Sequence, residues 1–269
     1  MASPNTASTK ESSILFRSGD PNFMNSLARG LEVIRAFSDT RTGNKLSSIS
    51  EQTGLSRAVV RRCLYTLEQM GYVSQRSDGY YLEPRILALS QTYFSSNALP
   101  SISQDFLDRV KELTGESCSL AVLDGLDAVY VARSAARKIM TVSLGIGSRL
   151  PAFYTSLGRA LLSALPESQL DKQLGLLKRH RYTEHTLTSK KDLKSVLQKV
   201  AKQGYSLVDQ ELEIGLRSLA VPIRNQDNKI VASINVGVQA TRMSSHKMLK
   251  EYLPVLQSAA SELGSQLIC

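Results

Sequence analysis

Hydrophobic residues recur along this chain at two different periods, and the switch between them divides it into regions. From Asn25 to Ser38 the apolar residues Leu27, Leu31, Ile34 and Phe37 return at the spacing of one helix face. After a polar loop, Asp39–Asn44, the segments Leu46–Thr53 and Arg57–Met70 read as two more helices separated by Gly54-Leu55-Ser56. Val60, Leu64 and Leu67 form one apolar stripe on the second of these, with Ile49 and Leu55 placed to meet it. Gly54 supplies the permissive backbone a sharp turn needs, and Ser56 is positioned as the N-cap of the following helix. Two short apolar runs, Gly71–Val73 and Tyr80–Leu82, flank Ser77-Asp78-Gly79, which is a hairpin signal. Helix, helix, turn, helix, hairpin is the order of a winged helix-turn-helix.

Beyond Pro84 the pattern changes. Pro84–Leu99 reads as a linker helix with Pro100 near a boundary, and Ile102–Leu113 as a helix ended by Gly115. Strands follow at Ser119–Leu123 and Ala128–Ala132 around the turn Asp124–Asp127, then an alternating strand at Ile139–Leu144 and a loop at Gly145-Ile-Gly147. Leu157–Leu165 reads as a helix with Ser156 as its cap, and a helix capped by Ser189 stops at Gly204. Tyr205–Val208, Leu216–Ile223 and Ile230–Val238 read as strands, the last two joined by a turn at Asn225–Asn228, and Ser245–Ile268 as one long terminal helix. Without a strict βαβ rhythm this is an α+β domain with a mostly antiparallel sheet. The expected organisation is a flexible tail over 1–23, a winged helix-turn-helix over 24–84, a linker helix over 85–100 and a second domain over 101–269.

Composition narrows the function. The chain has 269 residues, 42% of them hydrophobic, and a formal charge of +9, which favours a polyanionic partner. That surplus is spread, with +3 on residues 1–90 and +6 on the rest, so local clustering must decide. It does so on the second helix of the helix-turn-helix, where Arg57, Ala58, Arg61, Arg62 and Tyr65 lie off the buried stripe, next to Ser56. Arginine forks match guanine edges and phosphate oxygens, which points to double-stranded DNA as partner. The plain alternative is a solvated amphipathic helix. The turn, stripe, arginines and hairpin agree in order and spacing, and favour the DNA-binding reading. Arg76, and Gln75 beside it, could reach the duplex from the wing or simply face water.

Other classes find little support. Cys63, Cys118 and Cys269 are far apart, which argues against a zinc site or a disulfide scaffold and fits a reducing compartment. The first 23 residues carry no secretory apolar segment, and no run of about 20 apolar residues exists to span a membrane. His180 and His185 sit in a basic polar stretch, far from His246. Gly145-Ile-Gly147 has Leu150 where a dinucleotide fingerprint wants its third glycine. No enzyme activity, metal or cofactor is expected.

With both halves laid out, the chain resembles the IclR family of bacterial regulators from about Asn25 onward. The resemblance is carried by Ser26-Leu27-Ala28-Arg29-Gly30-Leu31, by Gly54-Leu55-Ser56, and by Arg137–Leu144 running into Arg149-Leu-Pro-Ala152 and Thr155–Leu162. Asp209-Gln-Glu211 and Gly215–Ile223 add to it, and the branch it looks like responds to protocatechuate, p-hydroxybenzoate or β-ketoadipate. The resemblance implies a GAF-like effector-binding domain, homodimers that pair into tetramers, and control of aromatic-acid catabolism genes by a small acid, with ligand-dependent activation favoured over repression. A small-molecule sensor acting without DNA is the rival from another class. Backbone N–H groups at a helix start can hold an anion, so an aromatic carboxylate could dock at Ser156-Leu157-Gly158 while Met140, Leu144 and Tyr154 hold its ring. Asp209, Ser218, Ser233 and Asn235 match positions lining the family pocket, though Asn235 stands where a smaller hydroxyl residue is expected. Arg137 is a candidate cation for the acid, or a surface salt bridge.

Overall fold

Short-range capping sets several helix ends in this chain. The computed structural model describes residues 20–37, 43–136 and 144–267, and the chain divides between Ser96 and Asn97 into two compact units. In the first, helices α1 (Asn25–Arg35), α2 (Leu46–Thr53) and α3 (Arg57–Gln69) precede strands β1 (Val73–Arg76) and β2 (Gly79–Leu82). Gly54 ends α2 in the left-handed region at φ 69°. Ser56 then caps α3, its hydroxyl accepting from the Val59 N–H at 3.5 Å. Val60, Leu64 and Leu67 of α3 pack with Val33, Ile49 and Val73 into the core of this unit. β1 and β2 form the antiparallel wing, and Asn44 bridges to Tyr80 along its free edge.

The inward face of α1 differs from the expected stripe. Ala28, Glu32 and Val33 are its buried residues, whereas Leu27 and Leu31 stay 59% and 45% exposed. One residue of offset turns a helix by roughly 100°. Packing of the compact Val33 and Ala36 against the core therefore leaves the two leucines outside, with Ile34 and Phe37 at the margin. The single linker helix expected over Pro84–Leu99 is also interrupted. A 3-10 turn (Pro84–Ile86) leads into α4 (Leu87–Ser96), then Asn97 starts α5 (Ala98–Thr114), its side chain accepting from the Leu99 N–H at 3.1 Å. Pro100 thus sits in the first turn of α5, where a missing N–H costs no helical hydrogen bond.

The second unit is built on one six-stranded antiparallel sheet in the order β5-β4-β3-β8-β7-β6. Its strands are β3 (Ser117–Asp124), β4 (Asp127–Ser134), β5 (Arg149–Pro151), β6 (Ser206–Asp209), β7 (Leu216–Arg224) and β8 (Ile230–Gln239). Leu107, Val110, Leu256 and Leu263, from α5 and the terminal helix, bury one face of this sheet against Cys118, Leu120, Leu219 and Ile234. The other face carries α6 (Ser156–Leu162) on Ala121, Ala128, Tyr130 and Ala220. Beside it stand α7 (Glu167–Leu176) and α8 (Lys190–Gln203), packed through Leu170, Leu174, Leu193 and Leu197. The short β5 and the polar α7 are additions to the expected elements. The terminal helix is split into α9 (Ser245–Glu251) and α10 (Leu253–Ser265), because Pro254 has no N–H to continue the ladder and begins a new helix. Most of the strand expected at Ile139–Leu144 lies outside the described residues.

Candidate functional site

Two surfaces carry chemistry. On α3, Ser56, Arg57, Ala58, Arg61, Arg62 and Tyr65 are all exposed, opposite the buried stripe. Positions one turn apart share a helix face, so Arg57 and Arg61 stack along one edge and Ala58, Arg62 and Tyr65 along the next. Among the described residues Arg57, Arg61 and Arg62 form no ion pair. Arg76 on the wing differs. Its guanidinium lies 4.3 Å from the Tyr81 ring centroid and 3.7 Å from Glu83 Oε1, so its charge is already engaged within the wing.

The second surface is a cavity of about 50 Å³ between the sheet and the start of α6. Two rows of cross-strand partners make its floor: Arg133–Ser119–Asn235 and Ser117–Gly237–Ser218. Tyr130, Leu144, Leu150, Tyr154 and Ser156 close it, with the loop Glu211–Glu213. A bulge between Leu120 and Ala121 shapes this floor. It turns the successive residues Val131 and Ala132 both into the core on the α5 face, which brings Tyr130 and Arg133 together on the cavity face. Burial pushes the Tyr130 phenol up to about 12, against the lowering effect of the Arg133 charge. Burial also raises the Tyr154 phenol. Ser156 Oγ is buried and makes no hydrogen bond among the described residues.

Not all the candidates for the acid site meet there. Leu144, Tyr154, Ser156, Ser218 and Asn235 line the cavity; Arg137 and Met140 lie outside the described residues. Asp209 does not line it. Its strand neighbour Val208 does, so the period of two turns Asp209 to the other face. There it pairs with Arg217 at 2.8 Å, while that guanidinium also holds the carbonyls of Ala240 and Met243. Ser233 ties strand to helix, donating to the Leu157 carbonyl at 3.0 Å. Leu157 is core, and Gly158 is needed for close approach, since a Cβ there would stand 2.2 Å from the Ala152 Cα. Of the anion cradle expected at this helix start, the Gly158 N–H is already engaged from within. Thr155, rather than Ser156, is the N-cap, and its hydroxyl takes the Gly158 N–H at 3.0 Å.

Two groups escaped the sequence reading. Arg133 is the cation of the cavity, bonded by one guanidinium N–H to Ser119 Oγ at 3.2 Å. Arg159, 1% exposed, makes a bidentate pair with Glu211 at 2.6 Å on both arms, and its Nε donates to the Phe153 carbonyl at 2.8 Å. Thr186 Oγ1 and the Leu187 N–H hold Glu211 from a third segment. This pair joins α6, the 3-10 turn before it and the cavity loop, so it shapes the site from the wall that Glu211 itself contributes.

A winged helix-turn-helix with an uncompensated guanidinium face, joined in one chain to an antiparallel domain enclosing a small polar cavity, defines a DNA-binding transcription regulator of the ligand-sensing class. The particular family follows from the sequence matches. Residues 26–77 match the IclR helix-turn-helix domain and residues 91–265 the bacterial transcriptional regulator IclR C-terminal domain. The chain belongs to the IclR family. It is 40% identical over 268 residues to the Pca regulon regulatory protein of Pseudomonas putida, spanning 99% of this chain and 92% of the relative. It is 33% identical over 250 residues to the p-hydroxybenzoate hydroxylase transcriptional activator of Acinetobacter baylyi, spanning 90% and 91%. The crystal structure of a double mutant of the PobR inducer-binding domain from Acinetobacter, in complex with 3-hydroxybenzoic acid, superposes with a TM-score of 0.59 at 31% identity, covering 62% of this chain and 98% of that one. Among the described residues no helix is long and apolar enough to cross a membrane, and no group of histidine, cysteine and carboxylate side chains could hold a metal ion.

Proposed function

We propose that this regulator is a cytoplasmic, non-catalytic, ligand-dependent activator of genes for aromatic-acid breakdown. It binds promoter DNA through α3 and is controlled by a small aromatic or dicarboxylic acid in the second unit. The single observation that carries the DNA-binding half is the exposed, unpaired face of Arg57, Arg61 and Arg62 beside the capped turn at Ser56. Ala58 leaves room for close approach to a base edge, and Tyr65 extends the same face. The names of the relatives support the effector class, and the cavity's arginine, serines, asparagine and tyrosines, beside Glu211 and Glu213, suit a small polar ligand. The working form is a homodimer or a pair of dimers. Met24, Leu27 and Leu31 on α1 are exposed, and α4 buries none of its residues although Leu87, Leu89 and Tyr93 lie on it. Apolar strips of this kind on a soluble helix suit a second copy.

Footprinting of the upstream promoter region, with and without 4-hydroxybenzoate, protocatechuate and β-ketoadipate, tests the proposal together with in vitro transcription. A footprint whose transcription output rises with one acid is expected. Release of DNA by that acid would assign a repressor instead, and a chain without any footprint would be a sensor working apart from DNA.

A further inference from the structure

We infer that Arg133 is the carboxylate anchor of the effector, aligned by Ser119, and that the acid lies across the sheet with its far oxygen toward Asn235 and Ser156. This rests on the reading of the cavity as the effector site, and adds which atoms hold the ligand and which chemical group the ligand must carry.

Arg133 is half-buried, and among the described residues its only partner is the neutral hydroxyl of Ser119. A cation partly withdrawn from water and held in no ion pair is costly; of the two carboxylates that also line the cavity, Glu211 is committed to Arg159, and Glu213 makes no ion pair with Arg133. The other guanidinium of this region, Arg159, has its carboxylate already in Glu211 and is closed to a ligand. Arg133 is therefore the group in the floor whose electrostatics a bound anion would complete. A planar fork binds a carboxylate through two parallel hydrogen bonds, and the Ser119 bond fixes the plane in which the fork is offered. Asn235 is the partner of Ser119 on the opposite strand, so it stands two strand spacings from Arg133, about 10 Å between backbones. Side chains reaching in from both ends leave the cavity as the gap between them. Gly237 in the adjacent row keeps that gap open. Ser156 Oγ, buried and unbonded, faces the same cavity and can receive or donate to a hydroxyl or keto oxygen. The recognised class is a small carboxylic acid with a hydrogen-bonding oxygen at its other end.

Isothermal calorimetry on the full-length protein tests this with 4-hydroxybenzoate, protocatechuate and β-ketoadipate, each beside its methyl ester. The acid that binds is expected to bind roughly 10- to 100-fold more tightly than its ester. Arg133→Gln should weaken the acid by a similar factor while leaving ester binding nearly as before, and Arg133→Lys should recover part of the loss. An ester that binds wild type as well as its acid overturns the anchor even if no Arg133 variant folds. So does full acid affinity in Arg133→Gln with a native melting curve. If wild type binds none of the three acids, the effector reading falls first and the anchor with it.

Discussion

Arginines on α3 and the arginine inside α6 present the same chemical group in opposite settings. Arg57, Arg61 and Arg62 stand in water with no ion pair among the described residues, whereas Arg159 is enclosed with a bidentate carboxylate and a carbonyl. In water a charge loses little by waiting for a partner, so the α3 face can be specialised for a ligand as large as a duplex at almost no cost to folding. Inside, the charge must be matched within the fold, and the match becomes structural. The contrast teaches that arginine content alone says nothing about role, and that the partner already present decides it.

The largest effect should come from breaking the enclosed pair. Arg159→Met leaves the Glu211 carboxylate buried and unmatched, and should cost about 3–5 kcal/mol in urea unfolding, with much of the loss recovered in Arg159→Met/Glu211→Leu. A single variant within about 1 kcal/mol of wild type would erase the contrast. The triple change of Arg57, Arg61 and Arg62 to alanine should move stability by no more than about 0.5 kcal/mol per site. It should nevertheless weaken operator binding by about 1–3 kcal/mol for each base-reading arginine, and reduce the salt slope by about 0.9 for each lost phosphate contact, both readable by fluorescence anisotropy. Unchanged DNA affinity would remove the contrast from the other side.

The smallest effect tests burial through a neutral group. Tyr130 has its phenol raised from 10.0 to about 12 because ionisation is disfavoured inside. Below the ordinary value both states are protonated and the stabilising contribution is fully present. As pH rises toward about 12 the unfolded chain ionises first, so that contribution is lost. Tyr130→Phe should flatten the decline of melting temperature across that alkaline window. An equally steep decline in the variant would show the phenol to be exposed.

Features set by neighbours in the chain were legible, and features set by distant partners were not. The capped turn at Gly54-Leu55-Ser56, the α3 stripe, and the helix running from Ser189 to Gly204 all depend on residues within a few positions of each other. The hairpin from β7 to β8 was legible for the same reason. Leu27 and Leu31 misled because a helix face is chosen by what packs against it, and their spacing is shared with the inward set one step away. Ser233 and Asn235 share a sheet face, yet one is spent on the Leu157 carbonyl and the other is left lining the cavity. Arg133 was hidden by the bulge. Strict alternation along Asp127–Ser134 would place Tyr130 and Arg133 on opposite faces, and only the extra residue unites them.

That same irregularity has an evolutionary reach. Because Val131 and Ala132 together satisfy the hydrophobic side of β4, the neighbouring position at 133 is relieved of any duty to the core. Its side chain can be exchanged for one of different charge or length while the sheet keeps its pairing. On the inference that Arg133 anchors the acid, a lineage carrying such a kink can drift from one inducer chemistry to another by single steps at one codon, and a biosensor engineer can follow the same route deliberately.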